Sequence, residues 1–248
     1  MKTAIKIFLL TAVVGYLIFA VVRFGRQTED RICEGITIEL PDNNLGDLVN
    51  ESYIRAILMR NSISPEGQKI GAINLEQIEE IICADSHIDS ASCYYNAADQ
   101  LCIEVMPNRP VLHVISQKGE DYYLASQGLV MSSKDFNVDL CVATGNISKK
   151  FAAGTLLGLA TYIHDDLFWS EQIQQIHVVD STHIMLYPRV GHHVVELGSV
   201  HDYAGKLDRL RIFYREGLDR VGWNKYKTIS LAYDGQVVCT KANNQKQK

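Results

Sequence analysis

The chain has 248 residues, of which 47% are hydrophobic and 21% charged, and its formal net charge at pH 7 is -5. This composition is typical of a protein that folds around one or two ordinary cores, and it gives no sign of disorder. A negative balance with a pI near 5.9 provides no basic field for a polyanion, so nucleic-acid binding is excluded as a function class.

An apolar run opens the chain. From Ile7 to Val22 every residue is apolar or small, and with Phe24 the run approaches the roughly 20 residues that a helix needs to cross a bilayer. Lys2 and Lys6 precede the run, as they would in a cleavable signal peptide. The run is longer than a usual signal core, and residues 19–23 lack the small-x-small pattern of a cleavage site. These two features favour an uncleaved membrane anchor.

The anchor sets the organisation of the whole chain. We predict a cytoplasmic tail at residues 1–6, a transmembrane helix at residues 7–24 and a linker at residues 25–33. Because no second apolar span follows, the remaining residues lie on one side of the membrane.

A strand and a helix follow the linker. Ile36, Ile38 and Leu40 alternate along Gly35 to Leu40, which predicts a short strand that ends at Pro41. Apolar residues then recur every three or four positions and predict an amphipathic helix that closes near Asn61. Its apolar positions are Leu45, Leu48, Val49, Tyr53, Ile54, Ile57 and Leu58.

The next helix has the clearest start signal in the chain. Asn74 can cap it, and Gln77, three residues later, completes the pattern of a capping box. From Ala91 to Val105 the pattern changes to two short strands around a turn at residues 96–100. The order strand, helix, helix, strand, strand predicts a first domain of about 75 residues, small but able to fold alone.

Beyond Pro110 most predicted elements are strands. They lie at residues 111–116, 122–125, 129–131, 140–142, 176–178, 184–186, 190–197, 228–233 and 236–239. Two helices interrupt them, one from Thr155 to Ile163 and one with Tyr203, Leu207, Leu210 and Tyr214 on one stripe, ending at Gly217. We predict an antiparallel sheet with flanking helices.

The six cysteines form no C-x-x-C pair and are too scattered for a disulfide scaffold, so we interpret them chiefly as small buried hydrophobic residues. Cys93 and Cys102 flank the predicted turn at residues 96–100 and could face each other across it. Whether they are bonded stays open at this point.

Motifs for catalysis are missing from the sequence. It contains neither a Gly-x-Ser-x-Gly elbow nor a phosphate-cradling glycine loop. The densest histidine cluster is His192, His193, His201 and Asp202, but adjacent residues on a strand point to opposite faces, so we predict no metal site. The sequence predicts a protein that is not an enzyme and has no cofactor.

A second polar cluster alternates at Asp85, His87 and Asp89. This spacing places three polar groups on one face of a strand, and we predict an exposed edge or loop there.

Four segments of the carboxyl-terminal half carry a family resemblance. They run from Leu186 to Gly198, from Lys206 to Tyr214, from Gly217 to Tyr226 and from Ile229 to Val238. With the order of elements described above, these segments resemble the FtsQ/DivIB family of bacterial cell-division proteins, in the form found in Bacteroidetes.

The resemblance implies a domain order and a function. Residues 34–109 would be a POTRA-like domain, residues 110–240 the antiparallel β domain and residues 241–248 a flexible tail, in an α+β fold. The protein would be a non-enzymatic scaffold in the inner membrane, with its carboxyl-terminal domain in the periplasm at the division septum. The β domain would hold partners of the FtsB and FtsL type, and the POTRA-like domain would engage other division proteins.

The resemblance also implies a binding mode, β-augmentation, in which a partner segment pairs with an exposed terminal strand. Similarity places that strand at Tyr233, Asp234, Gly235, Gln236, Val237 and Val238. Tyr233 is the candidate aromatic anchor, and the alternative interpretation is a half-buried sheet residue.

Two other functions remain as alternatives. The first is an anchored POTRA-containing envelope protein that binds extended client polypeptides in outer-membrane biogenesis or secretion. The second, less favoured, is a membrane-tethered hydrolase.

Overall fold

The computed structural model describes residues 12–19, 30–41, 49–134 and 136–242. The chain divides into two compact units, Met1–Pro107 and Asn108–Lys248. Each unit combines helices with a sheet, which confirms the predicted α+β class.

The predicted transmembrane helix at residues 7–24 falls largely outside the described residues, as do the tail at residues 1–6 and most of the linker. Residues 12–19 are helical and exposed. Across the described ranges, no helix is both long enough and apolar enough to span a membrane.

The first unit follows the predicted order of elements. It contains β1 (Gly35–Glu39), α1 (Glu51–Arg60), a 3₁₀ turn (Ile70–Ala72), α2 (Leu75–Cys83), β2 (Ile88–Tyr95) and β3 (Gln100–Pro107). The strand order is β1-β3-β2, with β1 parallel and β2 antiparallel to β3.

Asparagine side chains cap both helices of this unit. Asn74 Oδ1 accepts a hydrogen bond from the Gln77 amide at 3.1 Å, which confirms the predicted cap of α2. Asn50 Oδ1 accepts from the Tyr53 amide at 2.9 Å, so α1 begins at Glu51, later than its apolar pattern suggests. The predicted first turn, with Leu45 and Leu48, lies outside the described residues.

The second unit is a single large sheet with helices. Its strands are β4 (Pro110–Ser116), β5 (Asp121–Ala125), β6 (Val130–Ser132), β7 (Val142–Gly145), β8 (Ile173–Asp180), β9 (His183–Pro188), β10 (Val194–Gly198), β11 (Tyr226–Ser230) and β12 (Val238–Lys241). They form nine strands in the order β12-β11-β10-β9-β8-β7-β4-β5-β6.

The prediction that this sheet is antiparallel was wrong, because the sheet is mixed. The pairs β4–β7, β7–β8 and β10–β11 are parallel. Parallel neighbours need a long crossover connection, and helices supply it between β7 and β8 and between β10 and β11.

Three helical runs connect these strands. Helix α3 comprises Lys149–Phe151, a π-helical turn Ala152–Leu156 and Leu157–Asp165, and α4 is Leu167–Gln172. Helix α5 comprises Tyr203–Phe213, a second π-helical turn Tyr214–Leu218 and Asp219–Val221. The predicted end of this helix at Gly217 was wrong, since the helix runs on to Gly222, whose φ is +94°.

The sheet buries one face more deeply than the other. Val114, Ala143 and Ile176 occupy neighbouring strands and are fully buried with the helices in the main core. The row of residues next to them crosses β4, β7, β8, β9 and β10 and is half-buried or exposed; it consists of Ile115, Thr144, His177, Met185 and Glu196. The same row continues through Ser230, which is buried, to the exposed Val238 at the end of the sheet, because Glu196 pairs with Ser230 and Ser230 with Val238.

Candidate partner-binding edge

The six residues predicted to form the partner-binding strand lie mostly outside any strand. Residues 233–235 form a tight turn, in which the Gln236 amide donates to the Tyr233 carbonyl at 3.3 Å. Gly235 has a φ of +69°, a conformation that glycine adopts without strain. Residues 236 and 237 are irregular, and the strand begins only at Val238. The prediction of a strand through residues 233–238 was therefore wrong for its first five positions.

The sequence did contain the signal for this turn. Asp234-Gly235 is among the dipeptides most favoured in hairpin turns. The pattern of apolar residues predicted separate strands at residues 228–233 and 236–239, with the dipeptide between them, whereas the family resemblance placed one strand across residues 233–238.

The strand that follows the turn, β12, ends the nine-stranded sheet. It pairs with β11 in antiparallel register, Val238 opposite Ser230 and Thr240 opposite Thr228. Its other side has no paired strand within the described part of the chain. In an antiparallel pair every second residue directs its N–H and C=O away from the partner strand, so β12 presents free backbone groups at the sheet edge.

Apolar side chains surround this edge on both faces of the sheet. Tyr233 is 61% exposed and Val238 is 43% exposed. Cys239 points to the opposite face from Val238. Val237 and Cys239 pack, partly buried, against the margin of the main core. We call β12 together with residues 233–237 the terminal edge.

Backbone hydrogen bonds fix the residues that flank the terminal edge on both sides. The Leu231 amide donates to the Glu196 carbonyl at 2.8 Å, which continues the pairing of β11 with β10 by one residue. The Ala242 amide donates to the Lys225 carbonyl at 3.0 Å, which closes the β11–β12 pair at its other end. The edge is thus held at both ends.

The histidine cluster at residues 192–202 is dispersed in the structure. His193 is buried, and its Nε2 lies 2.8 Å from the Tyr214 hydroxyl, whereas His201 is exposed. Burial lowers the pKa of His193. Within the described ranges, no group of three or more His, Cys, Asp or Glu side chains is arranged to hold a metal ion.

The prediction of an exposed polar edge at Asp85, His87 and Asp89 was wrong for His87, which is only 4% exposed. Its Nδ1 lies 2.8 Å from Asp85 Oδ1, and Tyr53 donates its hydroxyl to Asp85 Oδ2. Hydrogen-bonding side chains compensate for the burial. The spacing of the polar residues did not reveal this cluster, because Tyr53 is 32 residues away in sequence.

Cys93 and Cys102 are both buried and free. They do not face each other, since Cys93 pairs with Ile103 and Cys102 with Tyr94. The described cysteines form no disulfide.

Comparisons with known families give two matches. The family described as "FtsQ/DivIB, C-terminal related" matches residues 109–240, a range that contains all of the second sheet except its last residue. The family described as "POTRA-like domain" matches residues 31–106, which contain the elements of the first unit except the last residue of β3. No curated protein sequence matches the chain.

Proposed function

Because the chain belongs to the FtsQ/DivIB family of division proteins, we propose that it is a non-enzymatic, membrane-anchored scaffold that holds FtsB/FtsL-type partners at the septum. Through them it would regulate septal peptidoglycan synthesis. Family membership itself indicates a role in division that depends on protein–protein contacts.

The observation that carries the proposal is the terminal edge. A short end strand with free backbone groups is a ready template for a partner strand, and exposed apolar side chains beside it supply specificity. Val238 provides such a side chain on the strand whose other side is fixed to β11, and Tyr233 provides one in the turn before it. The partner strand would extend the sheet beyond its ninth member.

The remaining parts of the chain have supporting roles in this proposal. The apolar run at residues 7–24 would anchor the protein in the inner membrane, with both units in the periplasm. The POTRA-like unit would contact other division proteins.

The experiment is conditional depletion in the native cell, followed by complementation. Val238→Asp places a charge on the open face of β12 at a residue that is already 43% exposed, so the fold should tolerate it. Val179→Asp is the matched control, because Val179 is 46% exposed near the end of β8, on the far side of β9, β10 and β11 from the terminal edge.

The wild type and Val179→Asp should restore division, whereas Val238→Asp should leave filaments without closed septa. Equal rescue by both variants would contradict the role of the terminal edge. Depletion that leaves division normal but makes the outer envelope leaky would contradict the scaffold and favour the client-binding alternative.

A further inference from the structure

A lysine is buried behind the terminal edge. Lys206 lies in the first turn of α5 and is only 5% exposed. Its Nζ donates to the Leu197 carbonyl at 3.1 Å and to the Ser199 carbonyl at 2.9 Å. Burying an ammonium group is costly unless hydrogen bonds and nearby charges compensate, and lysine is almost never fully buried without such partners.

The two carbonyls that accept from Lys206 flank a point of close backbone contact. Gly198 lies between them with a φ of +74°, and a Cβ placed there would be 3.2 Å from the Cβ of Ala232. Ala232 is the residue that precedes the terminal edge. Lys206 therefore fixes the end of β10 at the place where the terminal edge leaves the sheet.

Charge connects Lys206 to the turn itself. Burial lowers the pKa of Lys206, and the carboxylates of Asp202 and Asp234 act in the opposite direction. Asp202 also forms an ion pair with Arg209 at 3.8 Å. Asp234 lies in the turn of the terminal edge, so a negative charge of the turn favours the charged form of the ammonium group that is bonded to the end of β10.

We infer that Lys206 is a positioning residue for partner binding: it holds the turn at residues 233–236, and with it the start of β12, in the conformation that a partner strand recognises. Lys206 acts through the backbone of β10 and through Asp234, without contact to the partner. This inference rests on the proposed function, because Lys206 controls the conformation of the same edge that is proposed to bind the partner.

The expected loss of partner binding depends on the fraction of molecules whose terminal edge is in the conformation that binds the partner. An apparent dissociation constant rises in inverse proportion to the fraction of molecules in the binding-competent state. If loss of Lys206 leaves that state about one-tenth populated, partner binding weakens about tenfold.

The first test needs no partner. Amide hydrogen exchange is measured on the full-length chain for the wild type, Lys206→Met and Lys118→Met. Lys118 is an exposed lysine in the turn between β4 and β5, so its replacement removes the same charge from the other half of the sheet. Asp234→Asn is a second, milder variant that removes the attraction from the exposed side.

We expect exchange at residues 231–238 to accelerate about tenfold in Lys206→Met and less in Asp234→Asn, with the amides of β8 and β9 unchanged. Lys118→Met should match the wild type. Uniform acceleration throughout the second unit would show a general structural role and overturn the inference, as would unchanged exchange at residues 231–238. If Lys206→Met does not fold, Asp234→Asn alone decides between local acceleration and none.

The second test measures binding. A photo-reactive amino acid at position 240, an exposed site on β12, is introduced into cells that carry the wild type or Lys206→Met. Cross-linked FtsB-type protein is then identified by mass spectrometry. Its yield should fall about tenfold in Lys206→Met and fall no further when Asp234→Asn is added, because both changes remove the same charge attraction.

The outcomes separate the two proposals. No cross-link in the wild type contradicts the proposed function, while the exchange data still decide the role of Lys206. A strong cross-link that Lys206→Met leaves unchanged supports the proposed function and overturns the inference.

Discussion

The hydroxyl of Tyr53 donates a hydrogen bond to Asp85 Oδ2 at 2.7 Å and thereby ties α1 to the connection between α2 and β2. The same carboxylate accepts from the backbone amide of His87 at 3.0 Å. One acidic side chain thus joins α1 to the connection between α2 and β2 and also orders the backbone of that connection. Although burial acts to raise the pKa of Asp85, these hydrogen bonds together hold it below its ordinary value of 3.8.

Asp85→Asn should destabilise the first unit at neutral pH by about 1–3 kcal/mol, since the amide cannot accept all of these hydrogen bonds. A carboxylate whose pKa is lowered by folding contributes stability above its unfolded pKa and loses it as pH falls through the folded value. The difference between wild type and Asp85→Asn should therefore be full at pH 7 and shrink below about pH 4. Urea unfolding at pH 7 and pH 3 measures it.

Glu80→Gln is the matched control for Asp85→Asn, because Glu80 is an exposed acid on α2. It should change the free energy of unfolding by less than about 0.5 kcal/mol at either pH. A difference between wild type and Asp85→Asn that is the same at both pH values would contradict the role of the ionised carboxylate.

Burial of His193 predicts a second pH effect. Here the fold disfavours the charged form of the side chain, whereas at Asp85 it favours the charged form. Burial lowers the pKa of His193 below its ordinary value of 6.5, so the folded state favours the neutral ring. The unfolded chain then binds a proton more readily as pH falls through 6.5, and stability declines. His164 shows the same direction of shift and should contribute as well.

His193→Gln should reduce the loss of melting temperature between pH 7.5 and pH 5.5, although the variant is less stable at pH 7.5 because Tyr214 loses its hydrogen-bond partner. The exposed His201→Gln should keep the pH dependence of the wild type. Equal pH dependence in all three proteins would show that the pKa of His193 does not differ between the folded and unfolded states.

Two glycines should respond in opposite ways to alanine. At Gly145, at the end of β7, φ is +102° and a Cβ would lie 2.2 Å from the Val178 carbonyl oxygen. Gly154 lies within α3, and a Cβ there would meet nothing within 4 Å. Gly145→Ala should cost about 3 kcal/mol or more, whereas Gly154→Ala should be neutral or stabilise by up to about 1 kcal/mol.

Thermal unfolding of the two alanine variants checks this contrast. A tolerated Gly145→Ala would mean that the β7–β8 pair can shift its backbone. Destabilisation by Gly154→Ala would mean that the π-helical turn itself requires glycine.

Sequence reasoning predicted what local patterns encode. The Asn74 cap and the alternation along β4 and β8 are set by neighbours within a few residues, and the structure contains them. Alternation shows which face a residue occupies but not the direction of the neighbouring strand, so the parallel pairs were missed. The helices between β7 and β8 and between β10 and β11 were the available evidence, because a helical crossover favours a parallel pair.

The candidate site was only half predictable for a related reason. Family resemblance located the carboxyl-terminal hairpin but placed one strand across residues 233–238, although the apolar pattern alone predicted separate strands at residues 228–233 and 236–239. The Asp234-Gly235 turn interrupts that strand. We infer that Lys206 positions this turn from a helix that is distant in sequence. Contacts between distant segments leave no spacing pattern to read.

The last prediction asks whether a partner adds to β12 or replaces it. Thr228 and Thr240 are opposite each other on β11 and β12. Directly opposed residues have Cβ atoms about 4.5–5.5 Å apart, so Thr228→Cys with Thr240→Cys should allow a disulfide after modest adjustment. Cys239 is adjacent to Thr240 but points to the other face of the sheet, so it should not compete for this bond.

If a partner adds to the outer side of β12, the oxidised double variant should capture it as well as the reduced variant does, because β12 need not leave β11. Capture is measured by co-purification of the FtsB-type protein from the same cells, with Thr228→Cys alone as the control under both redox conditions. Loss of capture only in the oxidised double variant would mean that the partner displaces β12 and pairs with β11. The terminal edge would then act by strand exchange rather than by extension of the sheet.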